Sequence, residues 1–204
     1  MSGIREMQLK NTGIKPYQLD IISDNACSLF LPVTFAQEDN YVRMLFLADG
    51  YKLLKNESEI NAAECIDIIY DVFCKMRNAM KRYIFPDEYV MDEDTVFVSG
   101  SFKDVRVIFK PADTKKKSAN SFMECRQITG EDSIVKNIEV ICDMLKKRCT
   151  EKATAYIEKA LECIKNDNYG IENAISNLRL IKKEIYRLGI DSKEDIRLAM
   201  RMDL

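Results

Sequence analysis

Residues 55–85, KNESEINAAECIDIIYDVFCKMRNAMKRYIF, decide the fold of this chain. Their apolar side chains recur at steps of three and four, which is the period of a helix with one buried face. The members of this stripe are Ala62, Cys65, Ile66, Ile69, Val72, Phe73, Met76, Met80 and Tyr83. The spacing predicts a long core helix over 58–84, in which Asn56 is the cap, Glu59 completes a capping box and Pro86 stops the helix. The residues expected on the opposite face are Asp67, Asp71, Lys75 and Lys81.

Short strands are predicted on both sides of this helix. Before it, residues 28–36, SLFLPVTFA, and 41–49, YVRMLFLAD, are rich in branched and aromatic residues and flank the polar tetrad QEDN, which is typical of a hairpin. We expect residues 16–23, PYQLDIIS, to form a short helix that covers one face of this hairpin. After the long helix, the predicted strands are EYVM (88–91), DTVFVS (94–99) and VRVIFK (105–110).

From Ser133 onwards the chain has the apolar period of helices. Three helical segments cover 133–149, 150–168 and 169–189, with Gly189 as the C-cap of the third, and a short fourth segment covers 192–202. Their unequal lengths and patterns disfavour a repeat protein. The order of elements predicts an α+β fold.

Composition limits the class of protein. The 204 residues suit one domain, and 47% apolar with 31% charged residues suit a folded chain. The 31 lysines and arginines nearly balance the 33 aspartates and glutamates, which gives no broad basic surface for nucleic acid. Seven cysteines without a C-x-x-C pair are predicted to be reduced thiols. No apolar run approaches the length of a membrane span and the N-terminus has no apolar signal core, so we expect a cytoplasmic protein.

Several kinds of chemistry are disfavoured by the residues present. Histidine is absent, which removes the commonest general base and the Ser-His and Cys-His nucleophile arrangements. The acidic runs MDEDT (91–95) and QEDN (37–40) lack calcium-loop spacing and are typical of turns between strands. Cys142 and Cys149 have no C-x-x-C or histidine partner for zinc. We therefore expect no cofactor and no metal, and an enzyme working through carboxylates alone is the least favoured hypothesis.

Residues 83–113, YIFPDEYVMDEDTVFVSGSFKDVRVIFKPAD, follow the order of elements around the catalytic loop of protein kinases. Kinases need a glycine-rich phosphate loop, a catalytic Asp and magnesium-holding residues, and this chain has no G-x-G. If RYIFPDEYVM is laid on the catalytic loop at its proline, Tyr83 replaces the catalytic Asp and Glu88 the metal-binding Asn. In VRVIFKP, Phe109 and Pro111 replace the Asp and Gly of the Asp-Phe-Gly motif. The comparison implies the shape of a kinase without catalysis or ATP binding.

A family resemblance spans residues 17–188. It rests on YIFPDEYVMDEDTVFVS, the strand end IFKP, the N-terminal LFLPV and the late DNYGIENA. These segments resemble an uncharacterised bacterial domain often fused N-terminally to forkhead-associated domains, which is itself similar to the pseudokinase-like soluble domain of the type VII secretion membrane component. The resemblance implies a degenerate kinase-like bilobal domain, with a small β-containing lobe at 1–56 and a larger, mostly helical lobe at 57–204. The strands of 28–49 and 95–110 would then lie in separate lobes.

The predicted function is that of a non-catalytic scaffold or adaptor that binds another protein, linked to secretion or signalling assemblies. Lys115, Lys116 and Lys117 form the only charge run of the predicted polar loop 111–121 and are the predicted partner-binding residues. The alternative is a nucleic-acid- or phosphate-binding protein of phage or plasmid defence, in which these lysines act together with Arg106 and Lys110. Nucleic acid is the less favoured partner, and the sequence does not fix the oligomeric state.

Overall fold

The computed structural model describes residues 4–10, 14–38, 41–112, 125–165 and 171–189. These residues form six strands and five α-helices, with three of the helices grouped at the end, which confirms the predicted α+β class. Their bounds are β1 Ile4–Lys10, α1 Pro16–Ser23, β2 Val33–Glu38, β3 Tyr41–Leu47, β4 Tyr51–Leu53, α2 Ala62–Met80, β5 Val96–Ser99, β6 Val105–Val107, α3 Cys125–Lys146, α4 Glu151–Lys165 and α5 Ile171–Leu188.

The first sheet is antiparallel, with strand order β1-β3-β2. The predicted hairpin is present as β2 and β3, which pair from Val33 with Phe46 to Glu38 with Tyr41, and α1 forms as expected. The first arm is shorter than predicted because Pro32 has no N–H for the ladder. The strand β1 is absent from the sequence prediction, since its residues 4–8 are mostly exposed and give no apolar alternation. Backbone pairing along β3 holds it instead.

The second sheet has the order β4-β5-β6, so β2 and β3 belong to a different sheet from β5 and β6. Backbone hydrogen bonds nevertheless cross residue 56. β4 pairs with β5, and Val107 exchanges hydrogen bonds with the 29–31 segment, at 2.8 Å to the Leu29 carbonyl and 3.0 Å from the Leu31 amide. Residues 88–91 form only an isolated bridge, Tyr89 to Pro111, where a strand was predicted. The division into lobes at residue 56 stays a prediction.

The long helix is shorter than the sequence predicts at both ends. Asn61 caps it: its side chain accepts the Glu64 amide at 2.9 Å, and the Glu64 carboxylate accepts the Asn61 amide at 3.1 Å. The predicted capping pair Asn56 and Glu59 is wrong, because Ile60 is held extended by hydrogen bonds to the segment after α3. At the other end the helix stops at Met80, before Pro86 is reached.

Replacing Asn61 by alanine is expected to lower the free energy of unfolding by about 1 kcal/mol, because the cap and its reciprocal bond are lost together. Asn56 is exposed and makes a matched control, for which alanine should change stability by less than about 0.5 kcal/mol. Urea denaturation measures both. Equal losses in the two variants would contradict the placement of the cap.

α2 is the centre of the helical part and packs against α3, α4 and α5 and against β6. The first seven residues of the predicted apolar stripe are all buried, whereas Met80 and Tyr83 are not. The opposite face is not a solvated one, because Asp67 and Lys75 are only 7% and 8% exposed. Both make ion pairs there, so the helix is enclosed on two sides and the expectation of one polar face is wrong.

Polar pairs fix the register of α2 against α5, which run antiparallel. Equal steps along the two helices separate successive pairs. The pairs are Arg77 with Glu172, Tyr70 with Arg179 (2.8 Å from Nη2 to the hydroxyl) and Asp67 with Lys182. These three pairs therefore fix one register of α5 along α2.

Candidate functional site

Tyr83 and Phe109, which the kinase comparison aligns with the two catalytic aspartates, have opposite environments. Phe109 is fully buried and meets Phe30 edge to face, with 5.2 Å between ring centroids. Tyr83 is 71% exposed, and its backbone carbonyl accepts a hydrogen bond from the Tyr17 hydroxyl at 3.1 Å. A carboxylate at position 109 would lie inside the core, and neither side chain present can bind magnesium.

Glu88 and Pro111, the other two aligned residues, serve in local structure. The Glu88 carboxylate accepts hydrogen bonds from the Phe85 amide and the Gln18 side chain, both at 3.0 Å, and pairs with Lys15. These contacts fasten the start of α1 to the turn after α2. Burial alone would lower the pKa of Lys15, but the hydrogen bond and charge of Glu88 outweigh it and raise that pKa. Pro111 bridges to Tyr89.

The predicted basic patch is not assembled by the part of the chain that the structure describes. Lys115, Lys116 and Lys117 lie outside the described residues. Arg106 donates to the Asp104 carboxylate at 3.2 Å and to the Phe30 carbonyl at 3.3 Å, and Lys110 pairs with Asp92 at 3.0 Å. Because both cations already have carboxylate partners, the phosphate-binding alternative loses two of its five charges.

A buried ionic group that the sequence analysis missed joins α2 to the second sheet. We call it the Lys75 cluster, and its members are Tyr51, Asp71, Lys75, Asp104 and Arg106. The Lys75 ammonium pairs with Asp71 at 2.7 Å and with Asp104, and donates to the Val105 carbonyl at 2.8 Å. Tyr51 donates to Asp104, and the Asp71 carboxylate accepts the Val105 amide at 2.7 Å. The one sequence signal was the i, i+4 spacing of Asp71 and Lys75, which is common on exposed helix faces.

The Lys75 cluster is balanced in charge, with two carboxylates and two cations. Burial alone would raise the pKa of Asp104, but hydrogen bonds from Lys75 and Tyr51 and the charges of Lys75 and Arg106 lower it overall. Burial and the hydrogen bond to Asp104 raise the pKa of Tyr51, which therefore stays protonated. Since Lys75 pairs with both carboxylates and contacts the Val105 carbonyl, the cluster is suited to fastening α2 to the sheet.

A cleft of about 460 Å³ lies where α1 and α2 end. We call it the α1–α2 cleft. Its lining residues are Asn25, Ala26, Cys27, Ser28, Asn78, Lys81 and Arg82. Burial raises the pKa of the Cys27 thiol, so this side chain is a neutral hydrogen-bonding group at the cleft rather than a thiolate. No sequence pattern indicates the cleft, because its residues come from two turns and one exposed helix position.

The described ranges contain neither a metal-binding group of side chains nor a membrane-spanning helix. No group of three or more cysteine and acidic side chains there is placed to hold a metal ion. Asp92 of the MDEDT run accepts the Asp94 amide in a turn at 3.0 Å, as expected for a strand connection. Burial raises the pKa of the Cys142 thiol to about 12, which keeps it protonated. No described helix has the length and apolar character required to cross a bilayer.

Comparisons with known proteins complete the description of the site. No protein-family model matches the chain, and no curated protein matches it. The structure is distantly similar to a crystal structure of the cytoplasmic fragment of Staphylococcus aureus EssB, with a TM-score of 0.38 and 13% sequence identity. The match covers 88% of this chain and 98% of that chain. A TM-score of this size does not establish a shared fold, so no property of the fragment is transferred to this chain.

Proposed function

We propose that this chain is a non-catalytic, pseudokinase-like interaction module, a scaffold or adaptor that binds another protein in a secretion or signalling assembly. The observation that carries the proposal is the environment of the kinase-like positions. Phe109 is core, and the Glu88 carboxylate is occupied by Phe85, Gln18 and Lys15. A proton acceptor or magnesium ligand needs an oxygen that faces the substrate. The separation of the two sheets supports the bilobal arrangement that belongs to the same proposal.

Mg-ATP is expected to leave the melting temperature unchanged, because the chain offers no glycine-rich loop and none of the aligned residues is free to hold the metal. A ligand that binds only the folded state raises the melting temperature, because at free concentration L it stabilises that state by RT ln(1 + L/Kd). Thermal scans with millimolar Mg-ATP, and with magnesium triphosphate to control for charge, make the measurement. An increase of several degrees with Mg-ATP alone would overturn the non-catalytic proposal.

Protein binding through the lysine run is expected to be lost when Lys115, Lys116 and Lys117 are replaced by glutamate. The melting temperature should stay within about 2 °C, because exposed charges contribute little to folding and a run of three lysines in a polar segment is expected to be exposed. The matched control reverses three exposed lysines elsewhere, Lys103, Lys136 and Lys152. Partner recovery is measured by quantitative pull-down at low salt, where charge contributes most. Equal recovery with the two triple variants would remove the lysine run from the binding surface.

A further inference from the structure

Both helices that border the α1–α2 cleft end in the same way, with a residue in the left-handed region. Asn25 follows α1 with φ 52° and Tyr83 follows α2 with φ 61°. In each turn the next amide donates back to a carbonyl in the last helical turn, which is a Schellman motif. The hydrogen bonds are Ala26 N–H to Ile21 O at 3.2 Å and Ile84 N–H to Ala79 O at 3.0 Å. The motif already caps these helix ends without the side chains that line the cleft.

The α1–α2 cleft has a positive balance of charge. Lys81 and Arg82 are exposed, and among the described residues neither makes an ion pair. No carboxylate lines the cleft, and the nearby Asp24 at the end of α1 is not one of the lining residues. Each helix C-terminus contributes at most about half a negative charge, so the two side-chain cations exceed the two helix ends by about one unit. The donors of Asn25, Asn78 and Ser28 add to this preference for anionic oxygens.

Tyr83, the residue directly after Arg82, keeps a conformation that its side chain disfavours. Glycine is the usual residue at this position of a Schellman motif, since a Cβ clashes in the left-handed region. A tyrosine here gains no burial in return, because it is 71% exposed. Exposed tyrosine and arginine side chains are the types that contribute most to protein interfaces. Backbone strain at a residue next to a charged cleft, as at Tyr83, is expected of a binding residue.

We infer that the α1–α2 cleft together with Tyr83 is a docking surface for an acidic segment of a protein partner. The inference rests on the proposed protein-binding function and names the chemistry of the segment that is bound. Its carboxylates meet Lys81 and Arg82, and its neighbouring atoms pack on the Tyr83 ring. The cleft has the size of small-ligand sites, so it accepts one or two side chains rather than a whole domain.

The test uses a hexaglutamate peptide with blocked termini, titrated into the ¹⁵N-labelled full chain at low salt. The dissociation constant should lie below about 1 mM, and the shifts should centre on Asn78, Arg82 and Tyr83. Lys81→Ala/Arg82→Ala should weaken binding at least about tenfold, because both charge-assisted contacts are lost. The control Lys103→Ala/Lys152→Ala has the same net charge and should weaken it less than about twofold. No saturable binding, or equal weakening by both double variants, overturns the inference.

A single substitution separates docking from folding. Tyr83→Gly should raise the melting temperature by about 2–4 °C through relief of the left-handed strain, and should weaken peptide binding at least about threefold. Unchanged peptide affinity in this variant would remove Tyr83 from the surface.

Inorganic phosphate is the second probe: if it binds the cleft and hexaglutamate does not, the occupant is a phosphate group and the acidic-segment inference is wrong. Failure here leaves the pull-down result with the lysine run unaffected, so the broader protein-binding proposal is judged separately.

Discussion

Replacing Phe109 by alanine is expected to lower the free energy of unfolding by about 3–5 kcal/mol, the range for aromatic residues removed from a packed core. The side chain is fully buried and shares edge-to-face contact with Phe30, so truncation leaves a cavity between the second sheet and the 29–31 segment. Urea denaturation with an unchanged m-value would give the loss directly. A loss below about 1 kcal/mol would mean that the site collapses without penalty and that the position is not core.

Tyr83→Ala is the matched control, because Tyr83 is the other residue aligned with a kinase aspartate. Its exposed side chain should change stability by less than about 0.5 kcal/mol. Phe109→Asp extends the comparison: an ionised carboxylate in this core should destabilise the chain at least as much as alanine does, and no magnesium binding should appear. A folded Phe109→Asp variant that binds magnesium would show that the catalytic position is accessible, and would count against the proposed function.

Replacing Lys75 by methionine is expected to lower the free energy of unfolding by about 3 kcal/mol, because Asp71 and Asp104 would be left close together with one fewer cation between them. The helix would also lose its hydrogen bond to the Val105 carbonyl. Lys103 is exposed and supplies the control, since Lys103→Met changes the net charge equally and should cost less than about 0.5 kcal/mol. Similar losses in the two variants would contradict the structural role of the Lys75 cluster.

Acid titration gives a second measure of the same cluster. The folded chain lowers the pKa of Asp104 below its ordinary value of 3.8, so its contribution to stability is complete above that value and is lost as the pH falls through the folded pKa. Lys75 is a main cause of the lowering. The Lys75→Met variant should therefore lose less stability than the parent chain between about pH 5 and the acid limit of folding. An identical acid dependence would separate Asp104 from Lys75.

The elements that could be predicted from the sequence are those in which the pattern of apolar residues indicates which side chains are buried. The hairpin, α1 and α2 form close to where they are predicted, and the middle of α2 has apolar spacing that matches its burial. β1 gives no such signal, because its partner β3 supplies the hydrogen bonds and its residues 4–8 are mostly exposed. Two capping patterns compete before α2, and only the long-range bridge from Ile60 to Cys149 selects Asn61 over Asn56. The sequence pattern puts Lys75 on the polar face of α2, because its carboxylate partner Asp104 is distant in sequence and gives no local signal.

The candidate site was only partly accessible to sequence reasoning. The kinase comparison pointed to Tyr83 and Phe109, but the packing of Phe109 and the exposure of Tyr83 depend on tertiary neighbours. The α1–α2 cleft has no sequence pattern, because Cys27 and Arg82 meet only when two helix ends converge. A left-handed tyrosine is equally invisible in the sequence, since the backbone angle is imposed by the turn that follows α2.

The pairing of β4 with β5 also dictates how this chain reaches its folded state. Residues 54–95, including the whole of α2, lie between the two strands, so forming their first hydrogen bond closes a long loop of chain. Loop closure of that kind is opposed by chain entropy until the enclosed segment has become compact. The second sheet should therefore assemble late, after α2 has found its helical neighbours, and the hairpin β2–β3 can form early from local contacts. Once β4 has paired with β5, the segments before and after α2 are held in one sheet, so they unfold together rather than in turn.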